Sequence, residues 1–516
     1  MPGYKLLLLS FLSYGCFAQP VAEWKEKALY KELLYLNHPF YGSHNPVSIS
    51  EMPRDIAVFD ATYSSALGEY KLIRQGQEER NRTGSISGVR KIGGLSFEGA
   101  IEYASLALVD KKWGSHLWVS EDNPFYISDS IPGNSGVETF RLNGGFSYRV
   151  SERWRAALRA TYLAGTLADQ TDPRPLTTGM RFVINPGIDY RLGTSFSVGI
   201  SGRFGRLGES TEYTVINSIE PNVNTLFLFK GLGSPELKSA LGYKRSYEGN
   251  EYGGAIQLAW DGTSGVGNFL EASSGRINEY ANDGDSGFDY KGGDYQATFY
   301  RLSERLSLKT PAYIHSFTAD FESRSVDGIW YIQTQSTDAD ANVVWTVRDR
   351  SVSHKQSETL TGFGYQIDRM DGNIPRFTAL VSGTYAHSVT HQYPELYRAE
   401  YNLITYSGQV SGHLNLWKGM LSLSARFSWA TSPLQEIETG GSRLSAAFTE
   451  PAFQAVSGSH YACGIDFDYR RPLSLSTYSF LIGLRAGGTS KQYQGQAEIY
   501  QNASRQSFSL SLYLTF

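Results

Sequence analysis

The chain of 516 residues predicts an all-β fold: a transmembrane antiparallel β-barrel of about 16 strands, with 14 to 18 allowed, preceded by a short N-terminal helical arm. Three observations predict it. Segments of about ten residues in which apolar and polar side chains alternate recur along most of the chain, the length a tilted strand needs to cross a bilayer. Later than the N-terminus, nothing approaches the roughly 18 consecutive apolar residues of a membrane helix, and the mean hydropathy is negative. The composition, with 53 Gly, 34 Tyr and 27 Phe, suits many turns, lumen-facing glycines and aromatic interface belts. A spanning chain without apolar helices must close its sheet, because lipid leaves no partner for open backbone groups. A soluble β-sandwich or propeller would also alternate; the length in one continuous pattern and the character of the last strand argue against it.

Residues 1–18 predict a signal peptide. Lys5 precedes an apolar run from Leu6 to Leu12, and Cys16-Phe17-Ala18-Gln19 suits cleavage after Ala18. A lipidated Cys16 is the alternative, for which Ser13-Tyr14-Gly15 is a poor lead-in. Removing the segment takes away Lys5 alone among charged residues and moves the formal charge from −4 to −5, too mild to imply nucleic acid or another strongly charged partner. The remaining Cys463 excludes an internal disulfide framework or a cysteine-rich metal site.

Residues 19–55 form the arm. Ala28, Leu29, Leu33 and Leu36 recur at helical spacing between charged residues over 21–36, and the pattern stops at His38-Pro39. Such an arm is either a plug-like segment inside or beneath the barrel, or a plain surface helix. Residues 56–516 form the barrel, a single domain. From about residue 69 strands follow one another: Leu95, Phe97, Gly99, Ile101 and Tyr103 alternate with Ser96, Glu98, Ala100 and Glu102, and Trp154, Ala156, Leu158, Ala160 and Tyr162 oppose Arg155, Arg159 and Thr161. Residues 69–92 and 266–302 are weakly patterned. Short turns are expected at Ser151-Glu152-Arg153, Leu192-Gly193-Thr194, Asp371-Gly372-Asn373, Lys418-Gly419 and Arg471-Pro472, and long loops at 110–136, 207–250, 326–356 and 432–457. Short turns of such barrels face the periplasm and long loops face outward, so the final strand runs inward.

That final strand places Phe508, Leu510, Leu512, Leu514 and Phe516 on one face and Ser507, Ser509, Ser511 and Thr515 on the other. Ending on an aromatic, it resembles the closing strand of bacterial outer-membrane barrels, the segment read by the barrel-insertion machinery. The expected location is therefore the bacterial outer membrane, with its lipid and that machinery as partners. Further short motifs, Asn37-His38-Pro39-Phe40-Tyr41-Gly42, Asn123-Pro124-Phe125-Tyr126 with Asp129-Ser130, and Asn185-Pro186-Gly187, resemble those of a family of uncharacterised outer-membrane barrels of Bacteroidota. The resemblance covers most of the mature chain and implies fold and location; the family carries no established activity. A looser similarity, in architecture only, is to fatty-acid-transporter barrels, which also hold an N-terminal plug.

Chemistry is sought on the faces opposite lipid. Parity places Arg141, Arg149, Arg155, Arg159, Arg181, Arg203, Arg426 and Arg485 there, with Glu98, Glu102, Asp189, Asp320, Glu322, Asp368, Asp466 and Asp468. Both signs together make either a cross-linked filled interior or an eyelet with a transverse field. Simple pairing across the Glu152 turn sets Arg149 against Arg155, and like charges so placed need a counter-charge: Glu98 or Glu102, the arm, or an anionic solute. If a basic patch at 141–159 is open to solute, replacing Arg149 and Arg155 with Gln should shift ion selectivity toward cations. His387 and His391 are about 13 Å apart on an extended strand, too far to share an ion, and His38 with His44 lacks a completing ligand; no metal and no cofactor is expected. Ser411 and His413 share a face, but no nucleophile elbow or zinc-helix motif is present, and enzymatic activity is not expected. Trp154, Trp417 and Trp429 suit interface belts, whereas Trp113, Trp118, Phe125 and Tyr126 form either an outward binding surface or a loop buried in the barrel mouth. The expected function is a channel for a small solute or an accessory barrel serving a neighbouring uptake system. A non-conducting structural or adhesive barrel is the alternative, and a hydrolase at the rim a third.

Overall fold

The computed structural model describes all residues except 1–23, 53–54, 218–224, 234, 263–264, 285–289, 341–342 and 476–477; the expected signal peptide lies outside the described residues. The strands are β1 (Ile56–Gly68), β2 (Glu78–Ile92), β3 (Leu95–Lys111), β4 (Ile127–Ser128), β5 (Gly133–Arg149), β6 (Trp154–Asp169), β7 (Arg174–Leu192), β8 (Phe196–Thr214), β9 (Thr225–Leu228), β10 (Glu236–Ser239) and β11 (Gly242–Asp261). There follow β12 (Val266–Asp283), β13 (Tyr290–Lys309), β14 (Tyr313–Thr337), β15 (Val343–Asp371), β16 (Ile374–Gln392), β17 (Tyr397–Leu416), β18 (Gly419–Glu438), β19 (His460–Leu475), β20 (Tyr478–Tyr493) and β21 (Ser504–Thr515). All but β4, β9 and β10 belong to one 18-stranded sheet in which each strand pairs antiparallel with its neighbours in sequence. Closure comes from β21 against β1, with Val58 opposite Thr515 and Gly68 opposite Arg505. Eighteen strands is the upper end of the expected range.

The alternation sorts side chains as a barrel requires. Ile101, Phe204, Ile256, Val381, Ile465 and Leu512 are exposed on the outer face, while Asp189, Gln257, Glu271, Asp468 and Ser511 are buried on the inner one. No helix among the described residues is long and apolar enough to cross a membrane. A closed barrel with an apolar outer belt is the spanning form of bacterial outer membranes, and that is where this chain resides.

Three expectations change. Arg471-Pro472 is not a turn: both residues lie within β19, with Arg471 opposite Ile482 and Pro472 opposite Leu481. The loops drawn at 207–250 and 326–356 are largely strand, since β8 runs to Thr214, β11 begins at Gly242, and β14 and β15 form a hairpin of 25 and 29 residues. That is more than twice the roughly ten residues of a crossing, so its end stands clear of the bilayer. The weakly patterned 266–302 contains β12 and β13; Ser274, Arg276 and Asn278 stand on their outer face in place of apolar residues, which hides the alternation. The turns at 151–153, 192–194, 371–373 and 418–419 join adjacent strands on the same end of the barrel as Ile56 and Phe516, the periplasmic end by turn length.

Candidate functional site: a lumen covered at both mouths

The arm covers the periplasmic mouth from within. Its helices α1 (Trp24–Ala28) and α2 (Tyr30–Asn37) break at Leu29, and a 3₁₀ segment spans Pro46–Glu51. The buried Arg470 of β19 donates to the Ala28 carbonyl, and Arg305 of β13 donates to the carbonyls of Tyr35, His38 and Pro39 at 3.0, 3.2 and 3.1 Å. Phe40 meets Phe269 edge-on at 5.6 Å within a cluster including Val47, Ala157 and Ala259. His44 pairs with Glu271 at 2.6 Å.

Asn45 caps the 3₁₀ segment by accepting from the Val47 amide at 3.1 Å; it also donates to the Ile188 carbonyl at 3.0 Å and to Gln257 at 3.1 Å. Gly187 makes this docking possible, because a Cβ there would lie 2.2 Å from the Asn45 Oδ1. The motifs at 37–42 and 185–187 are thus brought to one contact region.

Arg149 and Arg155 do stand opposite each other. The counter-charge for Arg155 is Asp189, gripped at two points, 2.7 and 2.6 Å, with Glu51 of the arm at 3.4 Å. Burial pushes the Glu51 carboxyl up to about 7 against the opposing pull of Arg155.

Loops cover the opposite mouth. Residues 112–132, between β3 and β5, fold inward, and two wall carboxylates hold them. Glu209 accepts the backbone amides of Leu117, Trp118 and Val119 at 3.1, 2.7 and 3.3 Å. Glu279 accepts the Ser120 hydroxyl at 2.7 Å and the Asn123 amide at 2.8 Å. Asp122 binds Arg324 at 2.6 Å and the Tyr295 hydroxyl at 2.7 Å. Phe125 is fully buried against Gly293, where a Cβ would approach its ring to 2.5 Å. Above them Trp113 and Tyr126 pack with Phe229 of the β8–β11 loop and Phe448 of the β18–β19 loop, and the Arg74 guanidinium sits 3.9 Å over the Tyr126 ring. Trp113, Phe125 and Tyr126 are therefore buried in the mouth rather than displayed, and Trp118 packs beside them against a neighbouring cluster.

Between the two covers lies a cavity of about 290 Å³ bordered by His44, Arg203, Glu251, Arg301, Glu322 and Arg324. Arg181 and Arg203 share the single carboxylate of Glu251. On β13–β15 two guanidiniums, Arg301 and Arg324, meet three carboxylates, Glu322, Glu358 and the loop's Asp122. One side of the cavity thus carries a surplus positive charge and the other a surplus negative one.

The remaining sequence candidates are placed as follows. Arg159 pairs with Glu98 at 2.5 Å across the intervening Gly145, which stands opposite both. Glu102 stands opposite Arg141, and Arg149 is exposed near its turn. Arg426 pairs with Asp466 at 2.9 Å. Asp468 is buried and receives Arg470 at 2.7 Å, Arg485 at 3.3 Å and the Tyr513 hydroxyl at 2.5 Å. Phe508, Leu510 and Leu512 are exposed, and Phe516 lies between Phe59 and Phe480 at the seam, 5.9 and 5.6 Å away.

Among the described residues no group of His, Cys, Asp and Glu could hold a metal ion. His413 bonds Ser422 at 2.7 Å rather than Ser411. This pair sits near the periplasmic turn, and the nearby Asp468 is engaged by two arginines. Sequence reading missed Glu209, Glu251, Glu271 and Glu279: Glu209 fell inside an expected loop, Glu251 stood just past the end of that loop in a strand whose start was hidden by it, and Glu271 and Glu279 lay in a weakly patterned stretch.

Fold and lumen together define an outer-membrane β-barrel with both mouths covered. The chain belongs to the family of unknown function DUF6850, whose profile matches residues 46–516. No curated protein matches. Solved structures similar in outline include a FadL homologue of Pseudomonas aeruginosa (10% identity, 97% of this chain and 99% of that one, TM-score 0.37). The outer membrane transporter YddB of Escherichia coli (8%, 90% and 81%, 0.41) and the ferric yersiniabactin uptake receptor FyuA of Yersinia pestis (7%, 90% and 80%, 0.42) are others. At such identities and scores the likeness goes no further than barrel architecture.

Proposed function

We propose that this barrel passes a small hydrophilic solute through a gated lumen, alone or as an accessory to a neighbouring uptake system. One observation carries the reading: the interior retains polar cavities, and each segment covering it is tied to the wall at several points by hydrogen bonds and ion pairs, contacts that water can replace. A barrel serving only as a scaffold has no need of a polar hollow between two separately anchored covers. Single-channel recording of the refolded protein in planar bilayers tests it. The full chain should show brief openings, and removal of residues 19–51 should lengthen them into steady conductance.

A second reading, a non-conducting barrel whose loops bind a partner, is favoured by the β14–β15 hairpin, which presents exposed Ile332, Val344, Val347 and Val352. Silence in both proteins would support that reading and remove the first.

A further inference from the structure

The wall of the lumen is chemically divided. From β3 to β11 long charged side chains are committed to one another: Arg155 to Asp189, Arg159 to Glu98, and Arg181 and Arg203 to Glu251. The 3₁₀ segment of the arm packs on that side, touching β3, β5, β6 and β7. Across the middle of β14 to β18 the inner face carries mainly uncharged polar groups. Two cavities of about 210 and 240 Å³, sharing Leu380 and Ser382, lie along it. Ser382, Thr384, Ser407, Gln409, Ser428 and Thr489 line them. No side chain of these six makes a hydrogen bond to another described residue. Of the ionised groups that line them, Arg426 is paired with Asp466 at 2.9 Å, and Asp320 accepts from the Ser303 hydroxyl at 2.6 Å. The first cavity is also lined by Tyr35 of the arm, partly exposed, with the Arg305 guanidinium 4.6 Å over its ring.

We infer that this wall and Tyr35 form a binding site for a neutral polyhydroxylated solute, a short saccharide. Hydroxyl and amide side chains both donate and accept, as sugar hydroxyls do, so each bond to water lost on binding is replaced by one of like kind. Asp320, which lines the first cavity and accepts from the Ser303 hydroxyl, can accept from a sugar hydroxyl in the same way, whereas an anion would meet its like charge. The tyrosine supplies an apolar ring face for the C–H side of a pyranose, the usual division of a ligand site into an apolar platform and a few orienting polar groups. The inference rests on the proposed solute passage for its purpose but not for its test.

Isothermal titration of the full chain in a detergent without sugar headgroups, using maltotriose, cellobiose and N,N′-diacetylchitobiose, tests it, with triglycine and gluconate as zwitterionic and anionic controls. At least one saccharide should bind, and neither control. Tyr35→Ala, and separately the pair Ser407→Ala and Gln409→Leu, should weaken that binding about tenfold, the loss of one or two hydrogen bonds or a ring contact. Both variants should keep their heat-modifiable mobility, since neither set anchors a strand. Binding of none of the three saccharides, or undiminished binding in both variants, would overturn the assignment. Saccharide binding without conductance would retain this site and remove solute passage; conductance without saccharide binding would do the reverse.

Discussion

Arg155 illustrates how a residue on the inner face acquires its role from partners distant in sequence. Its guanidinium neutralises Asp189 on the next strand and reaches Glu51 on the arm, so the like charge of Arg149 opposite is tolerated. It is not open to a solute, and any anion selectivity of the 141–159 region must come from Arg141 and Arg149. Glu51 adds a pH dependence whose sign follows from its raised carboxyl. Docked, it titrates near 7; released, it returns to the usual carboxylate range, so docking takes up a proton between those values. The arm is held best at acidic pH and loosens as pH rises toward 7, by up to about tenfold per pH unit. Limited proteolysis of the arm across pH 5 to 8 should show this, and Glu51→Gln should flatten the profile; a slope that survives the substitution would assign it elsewhere.

At the scale of elements, the inward loop 112–132 is the counterpart of the arm. Three consecutive backbone amides converge on Glu209, and charge-assisted bonds of this kind contribute about 1.5–3 kcal/mol each. Glu209→Ala should therefore free the loop without disturbing β8, whose ladder to β7 and β11 is intact on both sides. In a protein lacking residues 19–51, that substitution should raise conductance several-fold and expose a protease site within 112–132. No change in either would mean that the aromatic cluster of Trp113, Tyr126, Phe229 and Phe448 holds the mouth unaided. The inward course of this loop was not legible beforehand. Trp113, Phe125 and Tyr126 are equally suited to an outward surface or a buried mouth, and what decides between them is Gly293 and Glu279, more than 150 residues away.

For the whole molecule, closure depends on the β21–β1 seam, where Phe516 packs between Phe59 and Phe480. Deleting Phe516 should lower the fraction of heat-modifiable barrel in outer-membrane preparations several-fold, while Phe516→Tyr should restore it; equal assembly of the deletion would show that the strand's other apolar residues suffice. The sequence by itself determined the barrel, the location and, in the strands whose alternation is clear, the face on which each residue stands. Those follow from a period of two read against lipid on one side and water on the other, a local rule that needs no knowledge of neighbours. It also marked several short motifs without saying what they touch. Only the tertiary structure decided the partners: that Glu98 reaches Arg159 over Gly145, that Asn45 seats on Gly187, that Arg245 is buried with Asp283, and that both mouths are covered. Partner choice depends on register and on where glycines leave room across the lumen, quantities set by closure of all the strands together and absent from any single one of them.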